Sequence, residues 1–257
     1  MIKAVLIDVD NTMLDFDACV KAALRDGFAH FGLPTYEESM FPVFTRVNNG
    51  LWHRLELGEL TREELLAIRF DRVFEALEIR FDGVTFEEYF RQYLFDSAIH
   101  VEGAMELLKY LSERYLLGVA SNGPYEQQIH RLKISGMFPY LDHCFVSEQV
   151  AAEKPSQDFF DYCMQVMKGL RHEAACLGGK RFVGHSSEEN FETKARILED
   201  LQPQDVMMIG DSLTADMAGA VTYGMKTCWY DPKKKGLPEA MAVDYVVTAL
   251  SQICEVL

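Results

Sequence analysis

Two aspartates, Asp8 and Asp10, follow the apolar run Ala4 to Ile7 at a spacing of two residues. A carboxylate is costly to take out of water unless something pairs with it. Two of them at the tip of a buried strand therefore ask for a chemical use. Three further clusters follow apolar runs in the same way: Ser121-Asn122-Gly123 after "LLGVA", Lys154-Pro155 shortly after "HCFVS", and Asp211-Ser212, with Asp216 five residues beyond Asp211, after "VMMIG".

Carboxylates, a hydroxyl and an amine gathered at one place suit phosphoryl transfer through an aspartyl phosphate. A carboxylate is a weak nucleophile and is repelled by a phosphate dianion, so such a site must first cancel charge. Magnesium, a hard cation that prefers oxygen ligands, suits Asp8 and Asp211. Lys154 adds a second positive charge and a phosphate contact. Ser121, Asn122 and nearby backbone N–H groups are expected to bind phosphoryl oxygens. Asp8 is placed to attack phosphorus. Asp10, on the same side of an extended chain, is placed to protonate the leaving alcohol and then to activate water.

The elements that must hold these groups are legible in the periodicity. Short apolar runs without polar alternation predict buried parallel strands over Lys3 to Asp8, Leu116 to Ala120, His143 to Val146, Val206 to Ile209, Lys226 to Tyr230 and Tyr245 to Val247. Helical patterns separate them over Gly103 to Arg114, Tyr125 to Ser135, Ser156 to Met167 and Ala215 to Tyr223. This order predicts an α/β fold with a doubly wound, Rossmann-like parallel sheet. Ligands of such sheets bind outside the carboxyl ends of the strands, where all four clusters fall.

Residues 15–98 break the alternation and carry helix signals only, which predicts an inserted all-helical cap between core segments 1–14 and 99–257. Thr35/Glu38, Thr61/Glu64 and Thr85/Glu88 each have capping-box spacing. Within the cap, Asn48 offers hydrogen bonds and Phe44 and Trp52 offer aromatic faces for a substrate. A second irregular stretch, Lys168 to Leu201, has a helical pattern over Phe191 to Leu201 and no evident role.

The chain has 257 residues, 49% apolar and 25% charged, and a net charge of −15, which excludes a surface built for nucleic-acid polymers or anionic membranes. A single phosphate group remains compatible with it. The six cysteines lack paired spacing and read as reduced thiols. With neither a signal-peptide pattern nor a membrane-spanning apolar run, a cytoplasmic setting is expected, with the chain a monomer or homodimer.

The sequences "DVDNT", "SNG", "EKP" and "GDSLTADM" stand in the order and strand context of the four motifs of the haloacid dehalogenase superfamily. The chain resembles its phosphohydrolases, and the helical insert resembles their first type of cap. "NNGLWHRLELGELTREEL", "SNGPYEQQIHRLKISGMFPY" and "GDSLTADMAGA" are similar to the branch of 5′-nucleotidases acting on pyrimidine and non-standard nucleotides. The resemblance implies that the Asp10 backbone carbonyl also binds magnesium and that Asp216 helps hold the metal site. The substrate so implied is a small phosphorylated metabolite, a nucleoside 5′-monophosphate first, with sugar phosphates as the alternative.

Other functions fit less well. Phospho-acceptor signalling modules share an acidic pair, a hydroxyl and a lysine around magnesium. They are about half this length, lack a helical insert and carry the acceptor on a middle strand. Dehalogenases of the superfamily need no metal and usually lack an acid two residues after the nucleophile, so Asp10 favours a phosphatase. Transfer to an acceptor other than water, as in a mutase, stays open because Asp10 serves both reactions.

Overall fold

The computed structural model describes residues 1–176, 201–239 and 241–257, with side chains described as far as 168 in the first range. The helix expected over Phe191 to Leu201 lies outside the described residues. The chain divides into two compact units, Met1–Asp15 with His100–Leu257, and Phe16–Ile99.

The first unit is built on a six-stranded, wholly parallel sheet in the order β3-β2-β1-β4-β5-β6. Its strands are β1 (Ala4–Ile7), β2 (Leu116–Ser121), β3 (His143–Val146), β4 (Val206–Gly210), β5 (Lys226–Tyr230) and β6 (Tyr245–Val247). The runs lacked alternation because both faces are covered. Ala4, Leu6, Leu116, Ala120, Val206 and Met208 pack with Phe159, Phe160 and Cys163 on one side, while Val5 and Ile7, of opposite parity, are equally buried. Gly118 is required within β2, since a Cβ there would press on Phe145 and Leu6.

The first unit's helices are α5 (Ala104–Ser112), α6 (Tyr125–Ile134), the single turn α7 (Ser147–Val150), α8 (Gln157–Cys176), α9 (Ala218–Tyr223) and the short α10 (Ile253–Val256). Its chain winds from β1 outward to β2 and β3, then crosses back to β4 on the other side of β1. That reversal makes the end of β1 a switch point, and Asp8 emerges there. In-register pairing of Ile7 with Val119 and with Ile209 brings the residues that follow them to one edge of the sheet.

The second unit consists of α1 (Phe16–His30), α2 (Met40–Glu56), α3 (Arg62–Ala76) and α4 (Gly83–Phe95). Its core is aromatic: Phe28, Phe44, Phe70, Phe74, Phe86 and Phe90 interlock with tilted and edge-on rings. Of the three expected capping boxes, only Thr61/Glu64 forms, with Glu64 N–H donating to Thr61 Oγ1 at 3.2 Å and Thr61 N–H to Glu64 Oε2 at 2.8 Å. Asp82 displaces Thr85 as the cap of α4 and accepts the Thr85 N–H at 2.8 Å, because an aspartate three residues earlier starts the helix about a turn sooner and leaves Thr85 inside it. The α2 helix begins after Ser39 without a side-chain cap, and Glu38 instead pairs with Lys21 at 2.8 Å. No helix among the described residues is long and apolar enough to cross a membrane.

Candidate active site

The turn after β1 positions the first two aspartates. The N–H groups of Met13 and Leu14 both donate to Val9 O at 2.9 Å. Asn11 takes a left-handed φ of 61°, a conformation asparagine tolerates better than most residues. The turn keeps Asp8 in line with the strand and sets Asp10 beside α6.

Asp8, Asp211 and Asp216 each bring a carboxylate oxygen within 4.8 Å of the other two. Lys154, 1% exposed, donates to Asp8 Oδ1 at 2.8 Å, Asp216 Oδ1 at 2.6 Å and the Ala120 carbonyl at 2.6 Å. Its ammonium has three N–H donors, and all three are engaged. In contrast to the phosphate contact expected from the sequence, what Lys154 offers a phosphate in this arrangement is charge at short range, and a direct hydrogen bond requires exchanging one of these partners.

One ammonium does not balance three carboxylates. Burial, reinforced by the Asp216 and Asp10 carboxylates, pushes Asp8 up to about 7 against the opposing pull of Lys154. Burial likewise holds Asp211 well above its ordinary value, with Asp8 and Asp216 adding to the effect. Burial would lower Lys154, yet Asp216 and Asp8 outweigh it and raise the ammonium instead, so Lys154 stays charged. Oxygen-only donors with surplus negative charge fit a hard divalent cation.

Asp216 is held by its surroundings more firmly than expected from sequence. A π-helical turn, Leu213–Met217, interrupts the predicted helix before α9 and turns Asp216 inward, a use such turns often serve at functional sites. Its second oxygen accepts the Ser212 N–H at 3.0 Å. Gly210 makes room, since any Cβ there would collide with the Asp216 carboxylate. With Lys154 and Ser212 on its two oxygens, Asp216 braces the site.

Ser121, at the end of β2, is buried and accepts from Gly123 N–H at 3.1 Å and Gln128 Nε2 at 2.8 Å. Asn122 departs from its expected role. Its Nδ2 donates to Lys154 O at 2.8 Å, and its Oδ1 accepts Lys154 N–H at 2.8 Å. The side chain thus clamps the Lys154 backbone in place of a phosphate. Pro124 stands at the N-cap position of α6, and Tyr125 N–H donates to Glu148 Oε2 at 2.6 Å.

The cap candidates separate. Phe44 is 2% exposed and packs on Phe70 and Phe90, so it belongs to the aromatic core and does not offer a free face. Asn48 is buried, with Oδ1 accepting from Arg69 Nη1 at 3.1 Å. Arg69 in turn is paired with Glu87 through Nε at 2.9 Å and Nη2 at 2.5 Å. Asn48 is therefore part of a buried polar network inside the second unit. Trp52 is half-buried beside Leu51, Leu55 and Leu65.

Three residues escaped the sequence reading. Trp229, buried in β5, donates its indole N–H to Asp211 O at 2.9 Å and fixes the backbone of that loop. Gln128 and Arg131, both fully buried on α6, contact Asp10. Their three-residue spacing on a helix was the available signal, but polar residues at that spacing ordinarily mark a solvated face.

A family model described as haloacid dehalogenase-like hydrolase matches residues 2–224. The chain belongs to this family. The hydrolase is 30% identical over 256 residues to the HAD-hydrolase YfnB of Bacillus subtilis (strain 168), covering 99% of this chain and 95% of YfnB. It is 32% identical over 234 residues to pyrimidine 5′-nucleotidase PynA of Streptococcus pneumoniae (strain ATCC BAA-255 / R6), covering 90% of this chain and 84% of PynA. The crystal structure of YfnB bound to magnesium matches the hydrolase with a TM-score of 0.81 at 27% identity, over 99% of this chain and 98% of that one.

Proposed function

We propose that this hydrolase is a magnesium-dependent phosphatase that cleaves phosphomonoesters through an aspartyl phosphate on Asp8. The observation that carries the reading is the bridge from Lys154 to Asp8 and Asp216, set among three carboxylates at the switch point of the sheet. Asp8, Asp211 and the Asp10 carbonyl would hold the cation, with Asp216 behind them. The bound cation would neutralise charge on the phosphoryl oxygens and on the nucleophile.

An Asp8 carboxylate oxygen attacks phosphorus, and the bond from phosphorus to the ester oxygen breaks. Asp10 gives its proton to the departing alkoxide, so an alcohol leaves. Water then attacks phosphorus while Asp10 takes a proton from it. The bond from Asp8 to phosphorus breaks, which releases inorganic phosphate and restores both carboxyl groups. Ser121 donates to a phosphoryl oxygen, and the Lys154 charge balances the nucleophile.

The preferred substrate in this reading is a nucleoside 5′-monophosphate, pyrimidine ones first. The support is the likeness to PynA along most of both chains and the quoted sequence features of that branch; fold alone does not choose a substrate. Purified protein assayed against nucleoside monophosphates and hexose phosphates, with magnesium or with excess EDTA, tests both parts. Uridine or thymidine monophosphate should be hydrolysed best and only with metal. Equal rates on hexose phosphates would leave a general phosphatase, and undiminished activity in EDTA would remove the metal from the scheme.

A further inference from the structure

Helix α6 carries two polar side chains that are completely buried, Gln128 and Arg131. Burying a guanidinium is costly unless its partners are well placed, so its geometry is informative. Arg131 Nη1 donates to Asp10 Oδ1 at 2.6 Å and to Gln128 Oε1 at 3.0 Å. Gln128 Nε2 donates to Asp10 Oδ2 at 2.6 Å and to Ser121 Oγ at 2.8 Å. The amide has one consistent orientation, its oxygen toward the guanidinium and its nitrogen toward two acceptors.

This ring grips both oxygens of Asp10, whose side chain keeps 28% of its surface exposed. It also acts on Ser121. The serine oxygen accepts from Gln128 and from Gly123 N–H, which fills its acceptor capacity and leaves its own proton to be donated. Gly123 is part of the device, since any Cβ there would occupy the place of the Gln128 side chain.

We infer that Gln128 and Arg131 are positioning residues for the reaction: Arg131 aims the Asp10 carboxylate, and Gln128 couples that aim to a Ser121 hydroxyl fixed as a donor. A purely structural ion pair would need neither the second Asp10 oxygen nor the serine. The inference rests on the proposed aspartyl-phosphate chemistry, in which Asp10 moves protons and Ser121 touches the phosphoryl group.

The test is a double-mutant cycle on the full chain with p-nitrophenyl phosphate and magnesium. Arg131→Met should lower kcat on the order of 10²-fold, the scale of a lost acid–base group, with KM falling alongside it and kcat/KM changed less than about threefold, because dephosphorylation becomes limiting. It should give a p-nitrophenol burst near one equivalent, because this leaving group departs without a proton whereas water attack still needs Asp10. In an Asp10→Asn background the same change should lower kcat less than about threefold further, as groups acting as a unit are non-additive. Arg131→Lys should recover part of the loss, and Gln128→Met should weaken inhibition by inorganic phosphate about tenfold, the loss of one good hydrogen bond.

Independent losses that multiply, an effect confined to KM, or phosphate inhibition unchanged in Gln128→Met would overturn the inference. Loss of the fold in both Arg131→Lys and Gln128→Met, seen by near-ultraviolet circular dichroism, would assign the pair to stability alone and overturn it as well. A wild type that hydrolyses the ester without a phosphoenzyme would instead contradict the covalent reading, and the Arg131–Asp10 cycle would still report whether the two act together.

Discussion

The Lys154 ammonium sits 2.8 Å from Asp8 Oδ1, and both side chains are buried at the carboxyl ends of the central strands. The same nitrogen reaches Asp216 at 2.6 Å. The proposed nucleophile and the residue proposed to brace the metal site are thereby tied to one nitrogen.

Lys154→Met should therefore act on stability and rate together. Removing one partner from a buried charge cluster leaves the others uncompensated, a loss of about 3–5 kcal/mol. Urea unfolding at pH 8 with EDTA measures it, and kcat should fall by about 10²–10³, the scale of a lost electrostatic contact. A variant as stable as wild type and within tenfold in rate would contradict the assignment.

Asp10→Asn should lower kcat by at least about two orders of magnitude, the usual scale of acid–base catalysis. Folding should survive in a near-isosteric side chain. Steady-state kinetics with a nucleotide substrate check it, and a loss under tenfold would remove the proton-transfer role.

Metal binding should depend on pH with a definite sign. In the folded protein Asp8 titrates near 7 against an ordinary 3.8, and Asp211 is raised too. A carboxyl with a raised folded value destabilises the protein as pH rises through it. Without metal, then, this contribution to stability declines from about pH 4 to beyond pH 7. Magnesium requires the ionised form and displaces the proton, so its increase in Tm should be larger at pH 8 than at pH 5.5. Equal increases at both values would contradict the ligand assignment.

The second unit yields a contrast between neighbours. Asn48→Ala removes a buried partner of Arg69 and should destabilise that unit by about 1–3 kcal/mol. Trp52→Ala should instead raise KM for a pyrimidine monophosphate more than for p-nitrophenyl phosphate. Thermal unfolding and parallel kinetics separate the two, and equal KM changes for both substrates would withdraw Trp52 as a substrate contact.

The six strands were legible because burial on both faces writes them as short, unbroken apolar runs, and the residues that end them were legible because charge there is unusual. The partners of those residues were not. Gln128 and Arg131 look like the polar side of an amphipathic helix until tertiary packing buries them. Phe44 and Asn48 combine an aromatic ring and an amide, a pairing that serves a base pocket or a packed interior equally well, and here it serves the interior. The place of Asn122 after Ser121 points to a phosphate ligand. Nothing local reveals that it reaches 32 residues along the chain to Lys154.

The proposed covalent step on Asp8 is the one on which the other roles depend. Protein mixed with a ³²P-labelled pyrimidine monophosphate and magnesium, then quenched in acid within milliseconds, should retain label that hydroxylamine releases. The label should map to the peptide containing Asp8, form at least as fast as turnover, and be absent from Asp8→Asn, which should also be inactive. Substantial magnesium-dependent turnover by Asp8→Asn, or wild-type turnover without a labelled protein, would contradict it.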